Sequence, residues 1–350
     1  MTEADLISSR IDLPADAESF YEEIERRGWG DGLPVMPPIP GRVSEFVAAA
    51  GMAAGHAIAE LAPSWSLATV EKIAINAVMA GCRPEFMPVL IAAVRALAQP
   101  AFNLQAVQTT THPCAVLVLV GGPIAGRLGL GSGYGAFGPG NRANATIGRA
   151  VRLLLMNIGG ARPGELDRAT QGTPAKYTYC VAENEERSPW PPLRVALGYE
   201  PDQSIVTVIA GEAPHNINDH GSVDAAGVIR QIASTMATPG NNNVYMRGGD
   251  SYVFLGPEHA NQIAVEGISR DELQARLYEL AQVPHNMFGR GQLEHIRSGL
   301  SDEVRGQTTE TMYVGLSPTD IQILVVGGDG RHSAWVPTFG MTRSCTAIVA

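Results

Sequence analysis

Apolar and polar positions alternate with two periods along this chain, and they separate an opening helical stretch from a longer mixed one. Residues 16–27 place Phe20 and Ile24 on one face and Glu22, Glu23, Glu25 and Arg26 on the other, which predicts an amphipathic helix. Proline-rich residues 28–40 interrupt the pattern, and helical spacing returns at 43–50. Residues 69–80, with Ser66 as the expected cap, are apolar all round except for Glu71, Lys72 and Asn76, and a further apolar helix runs to about Leu97. Lys72 and Asn76 lie one turn apart, so their shared face needs a polar partner in another helix or a place in a site. The first hundred residues are expected to be helical.

The period then changes. Residues 115–120 form a short continuous run of β-formers between breakers, as an interior strand does, and 146–158 read as a helix carrying Arg149 and Arg152. Strands are predicted at 204–209, 244–246, 252–255, 321–326 and 347–349, and helices at 223–236 and 270–281. Residues 215–220 and 327–337 read as loops. Alternating strands and helices predict an α/β fold, with α+β possible: a helical N-terminal part followed by two α/β layers with mixed sheets. The expected units are 1–100, packed on a glycine-loop unit at 101–190, and a second α/β unit at 191–350, with the break at Pro-rich 188–193.

Composition narrows the function classes. A chain of 350 residues with 45% hydrophobic and 17% charged residues buries a large core. Its net charge of -10 and lack of a basic stripe argue against nucleic acid as a partner. No apolar run reaches the roughly 18–20 residues of a membrane span, and the acidic first residues do not form a signal peptide. Four cysteines, Cys82, Cys114, Cys180 and Cys345, have no C-x-x-C pairing and fit free thiols in the cytoplasm. Apolar helices and few charges favour a homo-oligomer.

The richest candidate chemistry lies between Thr109 and Glu185. Gly131, Gly133, Gly135, Gly138 and Gly140 precede Asn141, Arg142, Asn144 and Thr146 at an expected helix start. Backbone N–H groups at such a start favour an anion, so Gly133, Gly135, Asn141, Arg142 and Asn144 are candidate substrate binders, with Arg343 contributed from the C-terminal segment. No Gly-Lys-Ser/Thr follows, and no acidic residue closes a Rossmann pattern. His112 and Cys114, two apart before a strand, are candidates for an acid–base or thiolate–imidazolium pair. Lys72 and Lys176 are alternative bases.

Metal ligation is the competing chemistry. His215, Asp219 and His220 are close in sequence, with His259, Glu258 and His332 as further donors, although no H-E-x-x-H helix is present. The cofactor expectation is therefore none or one divalent metal. The substrate is expected to be a small polar or carboxylated molecule. The favoured activity is lyase- or hydratase-type cleavage of a C–heteroatom bond by acid–base or thiol chemistry. A metal-dependent hydrolase or hydratase is the first alternative.

The strings G-D-G-L-P-V-M-P-P (residues 30–38) and E-K-I-A-I-N-A-V-M-A-G-C-R-P-E-F-M-P-V (residues 71–89) resemble a largely uncharacterised bacterial family. Its members are often encoded beside, or joined to, a protein with a U/C-G-S-C (seleno)cysteine motif. The resemblance extends through the glycine-rich loop and the G-G-x-G-x-H-S-A segment. This chain has no C-G-S-C, and Arg343-Ser344-Cys345 is only a faint echo of it. The resemblance implies a (seleno)cysteine partner protein and thiol-dependent lyase or reductase chemistry. It carries no catalytic residue across. A second alternative is thus a non-catalytic partner subunit of a thiol/selenol-dependent reductase.

Overall fold

A computed structural model describes residues 5–246 and 248–350. In chain order the strands are β1 (Ala57–Leu61), β2 (Ser66–Thr69), β3 (Ala115–Gly121), β4 (Cys180–Ala182), β5 (Ile205–Gly211), β6 (His215–Asn218), β7 (Ser251–Leu255), β8 (Gln282–Pro284), β9 (Thr311–Tyr313), β10 (Ile321–Val325), β11 (His332–Val336) and β12 (Cys345–Ile348). Two four-stranded sheets, ordered β12-β5-β3-β4 and β10-β7-β11-β6, form the centre; β1-β2 is a separate hairpin and β8-β9 a separate two-stranded antiparallel sheet. Both large sheets are mixed: β3 is parallel to β4 but antiparallel to β5, and β7 is parallel to β10 but antiparallel to β11. The expected α/β-or-α+β class with mixed sheets is what the chain adopts.

The two-residue period of a strand builds the layers. Along β3, Val116, Val118 and Val120 join the core of the N-terminal helices, while Ala115, Leu117 and Leu119 meet Tyr252, Phe254, Leu324, Val326 and Val336 of the other sheet. The second sheet's opposite face, with Ile217, Val253, Leu255, Ile323 and Trp335, packs under helices Ala225–Met236, Pro257–Ala264 and Arg270–Leu280. The result is a four-layer helix–sheet–sheet–helix sandwich. Both faces of β3 are buried, which is why its sequence reads as an unbroken apolar run.

Several expectations are corrected. The first hundred residues are not wholly helical, because 57–69 form the β1-β2 hairpin. Ser66 therefore belongs to a strand, and Thr69 caps the Val70–Ala80 helix by accepting the Lys72 N–H at 3.3 Å. Residues 244–246 lie in a short helix, Asn242–Met246, whose first turn is fixed by the Asn241 side chain accepting the Val244 N–H. The segments read as loops at 215–220 and 327–337 contain β6 and β11, which pair with each other. The proposed unit boundary at 190/191 does not follow the sheets, since β5 and β12 complete the sheet begun by β3 and β4. No single described helix is long and apolar enough to cross a membrane; one bent pair, Pro84–Leu97 with Pro100–Thr109, passes by length and composition. Its apolar residues lie largely in the core against the first sheet.

Candidate functional site: a cleft beneath the glycine-rich loop

The glycine-rich loop begins where β3 ends. Gly122 is there because a Cβ would stand 2.5 Å from the Gln203 carbonyl oxygen, at a backbone φ of 92°. Its N–H donates to Glu185 Oε1 at 2.7 Å, and the Ile124 N–H donates to Ser204 Oγ at 3.0 Å. Farther on, Asn144 takes the Gly131 N–H on Oδ1 and donates Nδ2 to the Gly131 and Ala136 carbonyls. Asn141 caps the Arg142–Asn157 helix by accepting the Asn144 N–H, and its Nδ2 donates to the Gly129 carbonyl. Arg142 donates to the Gly81 carbonyl at 2.9 and 3.1 Å, closing the C-terminus of the Val70–Ala80 helix.

The expected anion clamp is therefore corrected. Asn141, Arg142 and Asn144 are committed to holding the loop and its helix, and one of the N–H groups at the helix start, that of Asn144, already has the Asn141 side chain. Arg343 is likewise engaged, donating to Asp250 Oδ1 at 2.8 Å and Asp320 Oδ1 at 2.6 Å.

Gly133 and Gly135 remain in the span that crosses toward the second sheet. The Gly327 N–H donates to the Ser132 carbonyl at 2.7 Å, Tyr134 OH donates to Asp329 Oδ2 at 3.2 Å, and Arg187 pairs with Asp329. Phe137 meets Phe254 edge-on at 5.1 Å and Tyr179 at 6.1 Å. Between this loop and the second sheet lies an open cleft of about 240 Å³, lined by Gly135, Phe137, Phe254, Val326, Ala334 and His332 among others. The lining is apolar, with histidine as its titratable member, a common pattern for a small-molecule site.

His332 has a neighbour at each ring nitrogen. Nδ1 lies 3.0 Å from Asn216 Oδ1, an acceptor, so Nδ1 carries the proton and Nε2 presents its lone pair. That Nε2 is 3.3 Å from Nε2 of His220, with the ring centroids 5.1 Å apart and the planes at 75°. The register of β6 and β11, Asn218 opposite His332, brings these groups together on one face.

The other predicted catalytic residues sit elsewhere. His112 Nε2 is 2.7 Å from Glu212 Oε1, its ring stacks on Phe339 at 5.6 Å, and its buried Nδ1 has no hydrogen-bond partner. Cys114 is 2% exposed, and burial pushes its thiol up to about 12, which argues against a nucleophilic role. Lys176 Nζ donates to Asp167 at 2.6 and 2.8 Å; Arg152 joins the same carboxylate at 3.1 Å. His112, Cys114 and Lys176 thus share one end of the first sheet, with Cys114 and Lys176 lining a water-sized cavity there. Lys72 is not among them, since its Nζ donates to the Leu67 carbonyl of the hairpin at 2.9 Å.

The metal trio does not assemble. In β6, His215 shares a face with Ile217, which packs under the helices, whereas Asn216 faces the opposite way. Asp219 Oδ1 accepts the Gly221 and Ser222 N–H groups, and its carbonyl takes His259 Nε2 and Arg331 Nε. His259, whose pKa is lowered by burial, is fully enclosed and accepts Ser333 Oγ on Nδ1 at 2.8 Å. Glu258 takes the Gly330 N–H. Among the described residues no group of three or more His, Cys, Asp or Glu side chains is placed to hold a metal ion.

Sequence reasoning named His332 and His220 only as separate metal candidates, and it missed Asn216, Phe137 and Phe254. The H-S-A-W-V alternation at 332–336 was the available signal for the strand that joins them. Comparison of the chain with protein-family models, curated proteins and solved structures finds no match that would place it in a family.

Proposed function

We propose that the chain is an enzyme that moves protons on a small molecule held in the cleft beneath the glycine-rich loop, in a lyase- or hydratase-type reaction. The observation that carries this reading is His332: Asn216 fixes its tautomer, and the lone pair of Nε2 is presented beside His220 at the cleft. The apolar lining favours a substrate that is mostly hydrocarbon with a polar end. All four thiols are buried, so thiol chemistry in such a reaction belongs to a separate (seleno)cysteine partner.

The test is proton exchange. Small unsaturated, hydroxy- and oxo-acids that raise the melting temperature are incubated with the protein in D2O, and deuterium incorporation is followed by NMR. Exchange that His332→Ala abolishes supports the reading; exchange untouched by that variant refutes it. A second reading places proton transfer at His112, because its Nδ1 is a buried base nitrogen without a partner opposite the Glu212-held Nε2. Loss of exchange in His112→Ala with retention in His332→Ala would select it.

A further inference from the structure

We propose that His220 and His332 together bind a divalent transition-metal ion, zinc being the best fit, at the mouth of the cleft. The proposal rests on the reading of that cleft as the working site. A separation of 3.3 Å between the two Nε2 atoms is at the long end for a hydrogen bond. It also matches the bite of a tetrahedral ion: metal–nitrogen bonds of about 2.0–2.1 Å at a tetrahedral angle put the two nitrogens about 3.3–3.4 Å apart. The ring separation of the same pair is consistent with this. With both imidazoles pointing their Nε2 lone pairs at one centre, the same geometry separates the centroids by about 5.2 Å, and the observed distance is 5.1 Å.

The surroundings fit the same assignment. Asn216 Oδ1 accepts the Nδ1–H of His332, as an outer-shell acceptor does for a ligating imidazole, and thereby leaves Nε2 as the ligating atom. Both histidines are exposed, so an ion can enter without opening the fold. Imidazole pairs select zinc, copper, nickel or cobalt over magnesium or calcium, which prefer oxygen donors. Two side chains leave two coordination positions open, and Phe254 and Ala334 bring the cleft up to them. Those positions would be filled by water and by the polar end of a cleft ligand. An ion there would take the His332 lone pair, so metal ligation and proton transfer by that nitrogen are alternatives that the same variants separate.

The experiment uses tag-free full-length protein stripped with chelator, titrated with Zn2+ by calorimetry and with Co2+ by visible absorption. One equivalent should bind, and Co2+ should give the intense visible bands of a four-coordinate site. His332→Ala and His220→Ala should each weaken binding more than tenfold, with circular dichroism unchanged. Asn216→Ala should weaken it by about tenfold, as lost outer-shell partners do. His215→Ala, on the other face of β6, should bind normally. Absence of a stoichiometric site, or one lost in His215→Ala and kept in His332→Ala, overturns the proposal. No Zn2+ binding together with His332-dependent deuterium exchange removes the metal and leaves the proton-transfer reading. Zn2+ binding lost in His332→Ala while exchange persists keeps the metal and removes that reading.

Discussion

The side-chain amide of Asn144 pairs with the peptide of Gly131 on both edges, Nδ2 donating to its carbonyl and Oδ1 accepting its N–H, each at 2.9 Å. A helix side chain thus acts as a strand mate for the loop. Asn144 is 4% exposed and also holds the Ala136 carbonyl, so three backbone groups, one buried and two partly buried, depend on it. Asn144→Ala should cost about 2–4 kcal/mol, the usual penalty for several such partners left unpaired. Urea denaturation measures this, and limited proteolysis should show new cleavage between residues 131 and 138. A loss below about 0.5 kcal/mol, within the range of a surface substitution, would show that the loop is held by something else.

The thiols should be silent. Burial pushes both Cys82 and Cys114 up to about 12 and also raises Cys180 and Cys345. In the native state at mildly alkaline pH, a thiol-reactive disulfide should titrate none of the four, and all four after unfolding. Rapid native labelling of Cys114, located by peptide mass spectrometry, would restore it as a candidate nucleophile.

Glu183 should make stability depend on pH. It is 5% exposed, and burial raises its carboxyl from 4.5 to about 7 despite the Leu193 N–H that it accepts. The folded state therefore holds this proton more tightly than the unfolded chain does. Its contribution is full below about 4.5 and declines as pH rises through about 7. The stability of the parent relative to Glu183→Gln should fall across that window, read from denaturation midpoints at successive pH values. A difference that is flat or rises with pH contradicts the assignment.

Arg343 should matter for folding and for nothing in the cleft. It bridges Asp250 and Asp320, whose side chains are 11% and 6% exposed, while Arg343 itself is about half exposed. Removing it leaves two carboxylates facing each other with less compensation, at a cost of about 1–3 kcal/mol once solvent screening of the arginine is allowed for. Arg343→Ala should lower the melting temperature and leave Zn2+ affinity at His220 and His332 unchanged. An unchanged melting temperature would mean that the two carboxylates find other partners.

Much of the layering was legible because β3, β5 and β7 are buried on both faces and β10 nearly so, and such a strand needs no partner to be recognised. The edge pair β6 and β11 was not. In β6 only Ile217 is buried, and His215, Asn216 and Asn218 are exposed, so its alternation looks like a polar loop. The cleft histidines were hidden for that reason: they meet only through the register of two strands more than a hundred positions apart. The glycine-rich loop was recognised as a feature, but its asparagines and Arg142 were assigned outward. Sequence cannot tell whether an amide at a helix start faces a ligand or its own loop. Here Gly131 lies within reach of Asn144, and the loop takes it.

The first sheet closes late in synthesis. β5 pairs with β12 through Val208 and Cys345, while every strand of the second sheet is translated between them. A ribosome-bound chain can therefore assemble the second sheet and its helices while β5 still has an open edge. Bringing the ends of so long an insert together costs little more entropy than a shorter one would, since loop closure grows only logarithmically, but such distant pairing is slow. During that interval the exposed edge of β5 is a template for another nascent chain. Chaperone demand should accordingly concentrate between emergence of β5 and arrival of β12, and a chain stopped at Ser344 should aggregate where the full chain does not.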